Sequence, residues 1–253
     1  MARTGQPAHR HVAAVSRALL VLDVLAGGER EVGTNEIARR TGINASTVSR
    51  LLATLAEGGF VEFVPETARY RLGLRLIQLG NAVLARLDVR EVARPHLQAL
   101  VAAADETATL SVPGDGRAVT VDFVRSPSSV QSVAEVGRPS IAHATATGKV
   151  MLSFGGGSLP EGVLTRYTPR TITSRAELAR QLDRVRARRW ADSTGEREED
   201  LNAIAAPVLG PSGRLVAIIG LQGPASRFHT RAMRAAAPGL LERAAAISAL
   251  LGG

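Results

Sequence analysis

Residues 34–72 of this chain read TNEIARRTGINASTVSRLLATLAEGGFVEFVPETARYRL, and their spacing predicts a helix-turn-helix followed by a β-hairpin wing. Two helices cross tightly where the first carries a small residue, and Ala38 is placed for that role. Gly42, four residues later, suits a turn that needs a positive φ angle. The second helix then carries Val48 and Leu52 on one apolar face. This arrangement is typical of a unit that reads DNA.

The outer side of the second helix has the chemistry expected for contact with DNA. It carries short hydroxyls and one guanidinium, namely Ser46, Thr47, Ser49 and Arg50. Such groups reach base edges when a helix enters the major groove. Thr34 and Asn44 are predicted to cap the two helices, and Arg69 lies near the tip of the wing, where phosphate or the minor groove is met. We assign all seven residues to the DNA-binding surface.

Helical and strand patterns on either side of this stretch predict the organisation of the chain. A first helix is expected over residues 12–26, with a buried stripe formed by Val15, Ala18, Leu19, Leu22 and Leu25. The predicted domains are a disordered basic tail (1–11), a winged helix-turn-helix domain (12–73), a linker helix (74–88) and a second domain (89–253).

The second domain mixes strand and helix periods. Strands are predicted at 107–112, 117–124, 129–136, 203–209 and 215–221, and helices at 89–104, 147–154, 174–189 and 229–251. This order predicts an α+β fold in which helices cover the faces of an antiparallel sheet.

Composition limits the classes of protein that fit. The chain has 253 residues, 45% of them hydrophobic, but no apolar run long enough to cross a bilayer and no export leader, so we expect a cytoplasmic protein. The absence of cysteine excludes disulfides, thiol catalysis and thiolate metal sites, and we expect no cofactor and no metal. A net charge of +8 suits a polyanionic partner, although Lys149 is the only lysine and an arginine-rich genome would explain the charge equally well.

The chain resembles the isocitrate lyase regulator (IclR) family of bacterial transcription factors over nearly its full length. In the N-terminal part the resemblance is carried by NEIARRTGI at 35–43, STVSRLL at 46–52, GGF at 58–60 and YRLG at 70–73. In the C-terminal part it is carried by HATATGK at 143–149, GE at 195–196, NAIAAPV at 202–208, GR at 213–214 and GP at 223–224. The second set is specific, because its segments occur in order and at the expected distances.

This resemblance implies a function that composition could not. The N-terminal domain would dimerise on a short, roughly palindromic operator in double-stranded DNA. The C-terminal domain would be a GAF-like sensor with a curved antiparallel sheet, and the assembly a homodimer or a homotetramer built as a dimer of dimers. Such a regulator, most often a repressor, responds to a small organic effector, commonly an acid or an aromatic compound.

The resemblance also implies which residues form the effector pocket. These are the turn into the helix near residue 147, comprising Thr145, Ala146, Thr147 and Gly148, together with Ser193, Leu201, Ala203, Gly220 and Gln222. A helix N-terminus can hold a carboxylate, although Thr145 or Thr147 could equally serve only as a cap. Relatives that bind small acids often carry serine where this chain has Gly220 and Gln222, which favours a larger or less acidic effector.

Two other functions are weighed against an effector-responsive regulator. An enzyme with an accessory DNA-binding domain is disfavoured, because the chain has no nucleophile elbow, no Walker loop and no zincin helix. Lys149 and Glu196 fit a structural pair better than a catalytic one. A regulator without an effector, whose C-terminal domain only oligomerises, stays open.

Overall fold

The computed structural model describes residues 12–27, 30–84, 88–114, 116–130, 134–155, 159–160 and 162–252, apart from the side chains at 81–84, 88 and 212. The chain divides into two compact units, Met1–Arg86 and Leu87–Gly253. The predicted tail at 1–11 lies outside the described residues, and the domain boundaries predicted from the sequence stay predictions. None of the described helices combines the length and apolar character needed to cross a membrane.

The N-terminal unit has the predicted helix-turn-helix and wing. Its elements are α1 (Ala13–Ala26), α2 (Thr34–Thr41), α3 (Ala45–Glu57), β1 (Val61–Val64), β2 (Arg69–Leu72) and α4 (Arg75–Leu84). Gly42 ends α2 with a φ of 71°, and its amide donates to the Ala38 carbonyl at 2.9 Å. Strands β1 and β2 pair antiparallel, with Val61 opposite Leu72.

One hydrophobic core holds this unit together. It contains Val21, Leu25, Val32, Ile37, Val48, Leu52 and Val61. The stripe predicted for α1 is wrong in its first half, because Val15 and Leu19 are exposed whereas Val21 is buried. The 3.6-residue period identifies an apolar face, but it does not tell how far along the helix the covering partner extends.

The cap predicted for α2 is also wrong, by one residue. Thr34 is the first residue of the helix, and the N-cap is Gly33, which has no side chain to accept a hydrogen bond. The cap predicted for α3 is confirmed, because the Asn44 side chain accepts the Thr47 amide at 2.8 Å.

The C-terminal unit is the predicted α+β domain with an antiparallel sheet. Its elements are α5 (Asp88–Ala104), β3 (Thr107–Gly114), β4 (Arg117–Val124), α6 (Ala146–Phe154), α7 (Arg175–Arg188), β5 (Ala191–Thr194), β6 (Leu201–Leu209), β7 (Leu215–Pro224) and α8 (Thr230–Leu250). The five strands lie in the order β4-β3-β7-β6-β5, and every neighbouring pair is antiparallel.

Two features of this sheet differ from the prediction. The short strand β5 was not predicted, and it forms the edge beside β6. The strand predicted at 129–136 is wrong: residues 131–133 lie outside the described part, and 136–137 form a turn at Gly137. Instead the next residues run along β4, where the Ser140 amide donates to the Ala118 carbonyl at 2.7 Å.

Helices cover both faces of the sheet. On one face, Val150 and Met151 of α6 pack with Ala205 and Ile218. Residues that alternate with these, such as Ile204, are buried on the other side, where α8 contacts β6 and α5 contacts β3. Helix α6 therefore begins above one face of the sheet.

Candidate functional site

Helix α3 exposes most of the residues that the sequence predicts to contact DNA. Ser46, Ser49 and Arg50 are exposed, on the side away from the buried Val48 and Leu52. Positions i, i+3 and i+4 share one helix face, so these three side chains form a continuous polar surface.

Two further predicted residues are partly used within the helix. Thr47 is half-buried, and its amide donates to the Asn44 side chain. The Ser46 hydroxyl donates to the same Asn44 oxygen at 3.0 Å. Asn44 thus orders the front of α3, and this role requires no contact with DNA.

Thr34 and Arg69 meet in a second place, a groove between the N-terminus of α2 and the wing. This groove has a volume of about 580 Å³ and is lined by Gly33, Thr34, Asn35, Glu36, Arg40, Thr67, Ala68 and Arg69. No side chain caps α2, so its first amides face the groove uncapped. Hydrogen bonds from Arg39 and then Arg40 lower the pKa of Glu36 to about 2, so this carboxylate stays ionised and the two guanidiniums offset its charge. The groove suits a phosphate.

The C-terminal unit contains a cavity of about 80 Å³ between the sheet and the start of α6. The pairing register places Ser193, Ala203 and Gln222 side by side on β5, β6 and β7. Of the nine predicted pocket residues, seven line the cavity: Thr145, Ala146, Thr147, Ser193, Leu201, Ala203 and Gln222.

The start of α6 forms one wall of this cavity. Thr145 is the N-cap: its hydroxyl accepts the Gly148 amide at 3.0 Å and donates to the Ile141 carbonyl at 2.8 Å. The amides of Ala146 and Thr147 have no acceptor among the described residues. Two backbone donors therefore remain at the cavity wall for a bound group.

Gly148 and Gly220 are not among the residues that line the cavity. A Cβ on Gly148 would lie 2.7 Å from the Ala142 Cα atom, so glycine lets α6 approach the preceding turn. A Cβ on Gly220 would lie 3.0 Å from the hydroxyl of Thr109, its partner across the strands. Both glycines shape the cavity without offering it a surface.

The sequence-based prediction missed ten residues of the cavity lining, four of which are charged. The residues concerned are Thr109, Thr120, Ala134, Glu135, Arg138, Pro139, Ser140, Ala144, Arg197 and Glu198. The charged ones come from the irregular segment 134–140 and the loop after β5, where no period signals a direction. The only sequence signal that could have indicated them is their residue type, two arginines and two glutamates.

A buried ion pair holds the loop after β5. The Lys149 ammonium on α6 lies 2.6 Å from the Glu196 carboxylate and 2.9 Å from the Asp192 carbonyl. Burial lowers the pKa of Lys149 and raises the pKa of Glu196. The Thr171 hydroxyl donates to the Glu196 carbonyl at 2.6 Å. The backbone that presents Arg197 and Glu198 to the cavity is thereby fixed.

Other residues with chemical potential have structural partners. A ring nitrogen of the buried His143 lies 2.8 Å from the Thr165 carbonyl oxygen, and the Arg188 guanidinium stacks on Trp190 at 3.9 Å. Neither His143 nor Trp190 lines the cavity. In the described part of the chain, no group of three or more histidine or acidic side chains is arranged to hold a metal ion.

Comparison with known proteins finds similar chains among bacterial transcriptional regulators. The glycerol operon regulatory protein of Streptomyces griseus is 35% identical over 87% of each chain. A putative ICLR transcriptional regulator from Silicibacter sp. TM1040 has a TM-score of 0.82 at 28% identity and covers 95% of this chain and 97% of its own. An IclR homolog from Microbacterium hydrocarbonoxydans, solved with 4-hydroxybenzoate, has a TM-score of 0.76, covers 94% of this chain and 99% of its own, and at 23% identity shares the fold.

Two family models match the chain, one within the N-terminal unit and one over the C-terminal unit and the last residues before it. The IclR helix-turn-helix domain matches residues 14–65, and the bacterial transcriptional regulator IclR C-terminal domain matches residues 81–249. Because these models together match most of the chain, the protein belongs to the IclR family of bacterial transcriptional regulators.

Proposed function

We propose that this protein is a sequence-specific transcriptional repressor whose affinity for its operator is set by a small molecule bound in the C-terminal cavity. The observation that carries the proposal is the presence, in one chain, of an exposed polar recognition face on α3 and a polar cavity in the C-terminal unit. The relatives named above are regulators of transcription, and we propose that this protein is not an enzyme.

Operator recognition rests on the exposed face of α3. Ser46, Ser49 and Arg50 would meet base edges in the major groove, with Arg50 contacting a guanine or a phosphate. The groove that contains Thr34 and Arg69 would hold a backbone phosphate and so fix the position of the helix on the duplex.

The cavity supports a small polar effector. Its hydroxyls, its free amides and its volume of about 80 Å³ favour a short organic acid, in place of the larger or less acidic effector that Gly220 and Gln222 suggested from the sequence. No aromatic side chain is among the described residues that line it. An aromatic effector would lack the stacking partner that such ligands commonly find.

Exposed apolar surface in the N-terminal unit supports the proposal that the protein assembles into oligomers. Leu74 and Ile77, just before and within α4, are 74% and 59% exposed. A cluster of apolar side chains on a helix is unfavourable in water and marks a contact with another protein surface. We therefore propose a homodimer or a homotetramer that binds operator DNA in the cytoplasm.

The first test concerns Arg50. Operator sequences are selected from a random duplex library with the wild-type protein, and affinity is then measured by gel shift at one salt concentration. Because a well-placed base contact contributes about 1–3 kcal/mol, Arg50→Ala is expected to weaken binding by about 5- to 150-fold and leave oligomerisation intact. Arg214→Ala, which removes an exposed arginine of the C-terminal unit, is the charge-matched control. Equal affinities for all three proteins would refute the assignment.

The second test concerns the cavity. A metabolite library is screened by thermal shift, because a ligand that binds only the folded protein raises the melting temperature. A hit is expected to change operator affinity, and Gln222→Ala is expected to weaken the response to the hit without weakening operator binding in its absence. Gln98→Ala, on an exposed position of α5, is the control. If no metabolite stabilises the protein or alters operator binding, the alternative holds, in which the C-terminal domain only oligomerises.

A further inference from the structure

Two guanidinium groups lie on one wall of the C-terminal cavity. Arg138 comes from the segment that runs along β4, and Arg197 comes from the loop after β5. Glu198 lies between them: one of its carboxylate oxygens is 2.9 Å from Nη2 of Arg138 and 3.6 Å from Nε of Arg197. A single carboxylate oxygen of Glu198 is thus the ion-pair partner of both guanidiniums.

Most of the hydrogen-bond donors of these arginines have no acceptor among the residues that the structure describes. A guanidinium has five N–H donors. Arg138 donates one hydrogen bond, to Glu198. Arg197 donates none to any described residue, because 3.6 Å is too long for an N–H···O hydrogen bond. Arg197 is also half-buried, and burial, followed by the charge of Arg138, lowers its pKa. A cation held there would be stabilised by a further anion.

Another ion pair in the same unit, between Glu106 and Arg227, has the geometry of a pair that only stabilises the fold. Both oxygens of Glu106 accept from Arg227, at 2.7 and 2.8 Å, and the Glu106 side chain is only 2% exposed. Glu198 instead is 43% exposed and uses one oxygen for two arginines. Its side chain can therefore leave the cavity for solvent at little cost, while the pair of Lys149 and Glu196 keeps the loop backbone in place.

These observations extend the effector-responsive function proposed above, on which the following inference rests. We propose that Arg138 and Arg197 form an anion subsite of the cavity, which Glu198 occupies in this structure and which a carboxylate of the effector takes over.

The chemistry of the subsite and its surroundings defines the class of ligand. A planar carboxylate between two guanidiniums accepts up to four charge-assisted hydrogen bonds, more than Glu198 receives. The remaining lining offers hydroxyls from Thr109, Thr120 and Ser193. These groups suit alcohol oxygens on a short aliphatic chain, so the ligand is a small hydroxy acid.

The test uses sodium glycolate as a probe, compared with sodium chloride at equal ionic strength. Thermal unfolding of the full chain is followed for the wild type, Glu198→Gln, Arg197→Gln and the double variant. Removal of the internal carboxylate is expected to make Glu198→Gln respond to glycolate with a rise in melting temperature of about 2–4 °C, as for a ligand at several times its Kd. The wild type should respond less, and both variants that lack Arg197 should not respond.

Glu199→Gln is the matched control, because Glu199 is an exposed neighbour that does not line the cavity. The proposal is overturned if Glu198→Gln responds to glycolate no more than the wild type or Glu199→Gln, or if the double variant keeps the response. Should Glu198→Gln fail to fold, calorimetric titration of the wild type and Arg197→Gln with glycolate decides, and equal affinities overturn the subsite.

The outcome is separable from that of the proposed function. A metabolite that changes operator binding equally in the wild type and in Arg197→Gln would leave the regulator intact and remove the subsite. A glycolate response that depends on Arg197, in a protein whose operator binding no metabolite alters, would leave the subsite intact and remove the effector response.

Discussion

Lys149 shows how one charged residue can organise a cavity without lining it. Its ammonium is fully buried between the Glu196 carboxylate and the Asp192 carbonyl. The second oxygen of Glu196 is buried and has no hydrogen-bond partner in the described residues. The pair links α6 to the loop that carries Arg197 and Glu198, so both walls of the cavity depend on it.

Removing one partner of this ion pair should lower the free energy of unfolding much more than removing both partners. Lys149→Met leaves Glu196 as an unpaired buried carboxyl, and we expect a loss of about 3–5 kcal/mol in the free energy of unfolding. Lys149→Met combined with Glu196→Leu should recover a large part of that loss, because no buried charge remains. Urea unfolding measures both. A single variant as stable as the wild type, or a double variant no better than the single one, would contradict this account.

The same variant has a defined pH dependence. Burial raises the pKa of Glu196 above its usual 4.5, and without Lys149 the main opposing charge is gone. The folded state then binds the proton more tightly than the unfolded state, so this stabilisation is fully present below the unfolded pKa and is lost as pH rises through the folded pKa. The stability gap between wild type and Lys149→Met should therefore narrow as the urea series moves from about pH 8 to about pH 5.

At the scale of elements, α6 is the part that connects packing to the site. Its first turn lines the cavity, while Val150 and Met151 pack on the sheet. The position of the helix start depends on the close approach of Gly148 to the turn formed by Ile141 and Ala142. A small displacement there moves the free amides of the cavity wall.

Gly148→Ala tests this dependence. The added methyl would lie 2.7 Å from the Ala142 Cα atom and close to the Ile141 carbonyl, and backbone on both sides must shift. We expect a loss of about 1–3 kcal/mol in stability together with a weaker response to effector. Gly239→Ala in α8 is the control: nothing lies within 4 Å of its Cβ position, and the higher helix propensity of alanine should add about 0.5–1 kcal/mol. Equal behaviour of the two variants in thermal unfolding would rule out a packing role for Gly148.

At the scale of the whole molecule, regulation requires that two functions in separate units be coupled. An effector changes operator affinity only if it binds more tightly to one arrangement of the DNA-binding units than to another. On the proposed function, a palindromic operator would need two such units, and oligomerisation would then be part of the mechanism.

Ile77→Asp probes that assembly. Placing a carboxylate on the exposed apolar side of α4 should shift the protein towards smaller species in sedimentation velocity and weaken binding to an operator with two half-sites. Gln78→Asp, on the exposed neighbouring position of the same helix, should change neither. An unchanged sedimentation profile for Ile77→Asp would show that this surface is not an interface.

Local rules were sufficient to predict the DNA-binding fold. The period of α3, the positive φ angle at Gly42 and the cap at Asn44 all act within one or two turns, and each was readable from neighbouring residues. The same local signals failed where a partner was needed, as with the exposed first half of α1 and the turn at Gly137 in place of a strand.

The full set of residues that line the cavity could be identified only from the tertiary structure. Family resemblance pointed to its sheet and helix walls, and the register of β5, β6 and β7 brings Ser193, Ala203 and Gln222 together. Arg138 and Arg197 come from irregular segments far apart in the chain, and no period relates them. They meet because backbone hydrogen bonds along β4 and a buried ion pair on α6 hold both segments at one cavity, and such long-range contacts leave no local pattern in the amino-acid order.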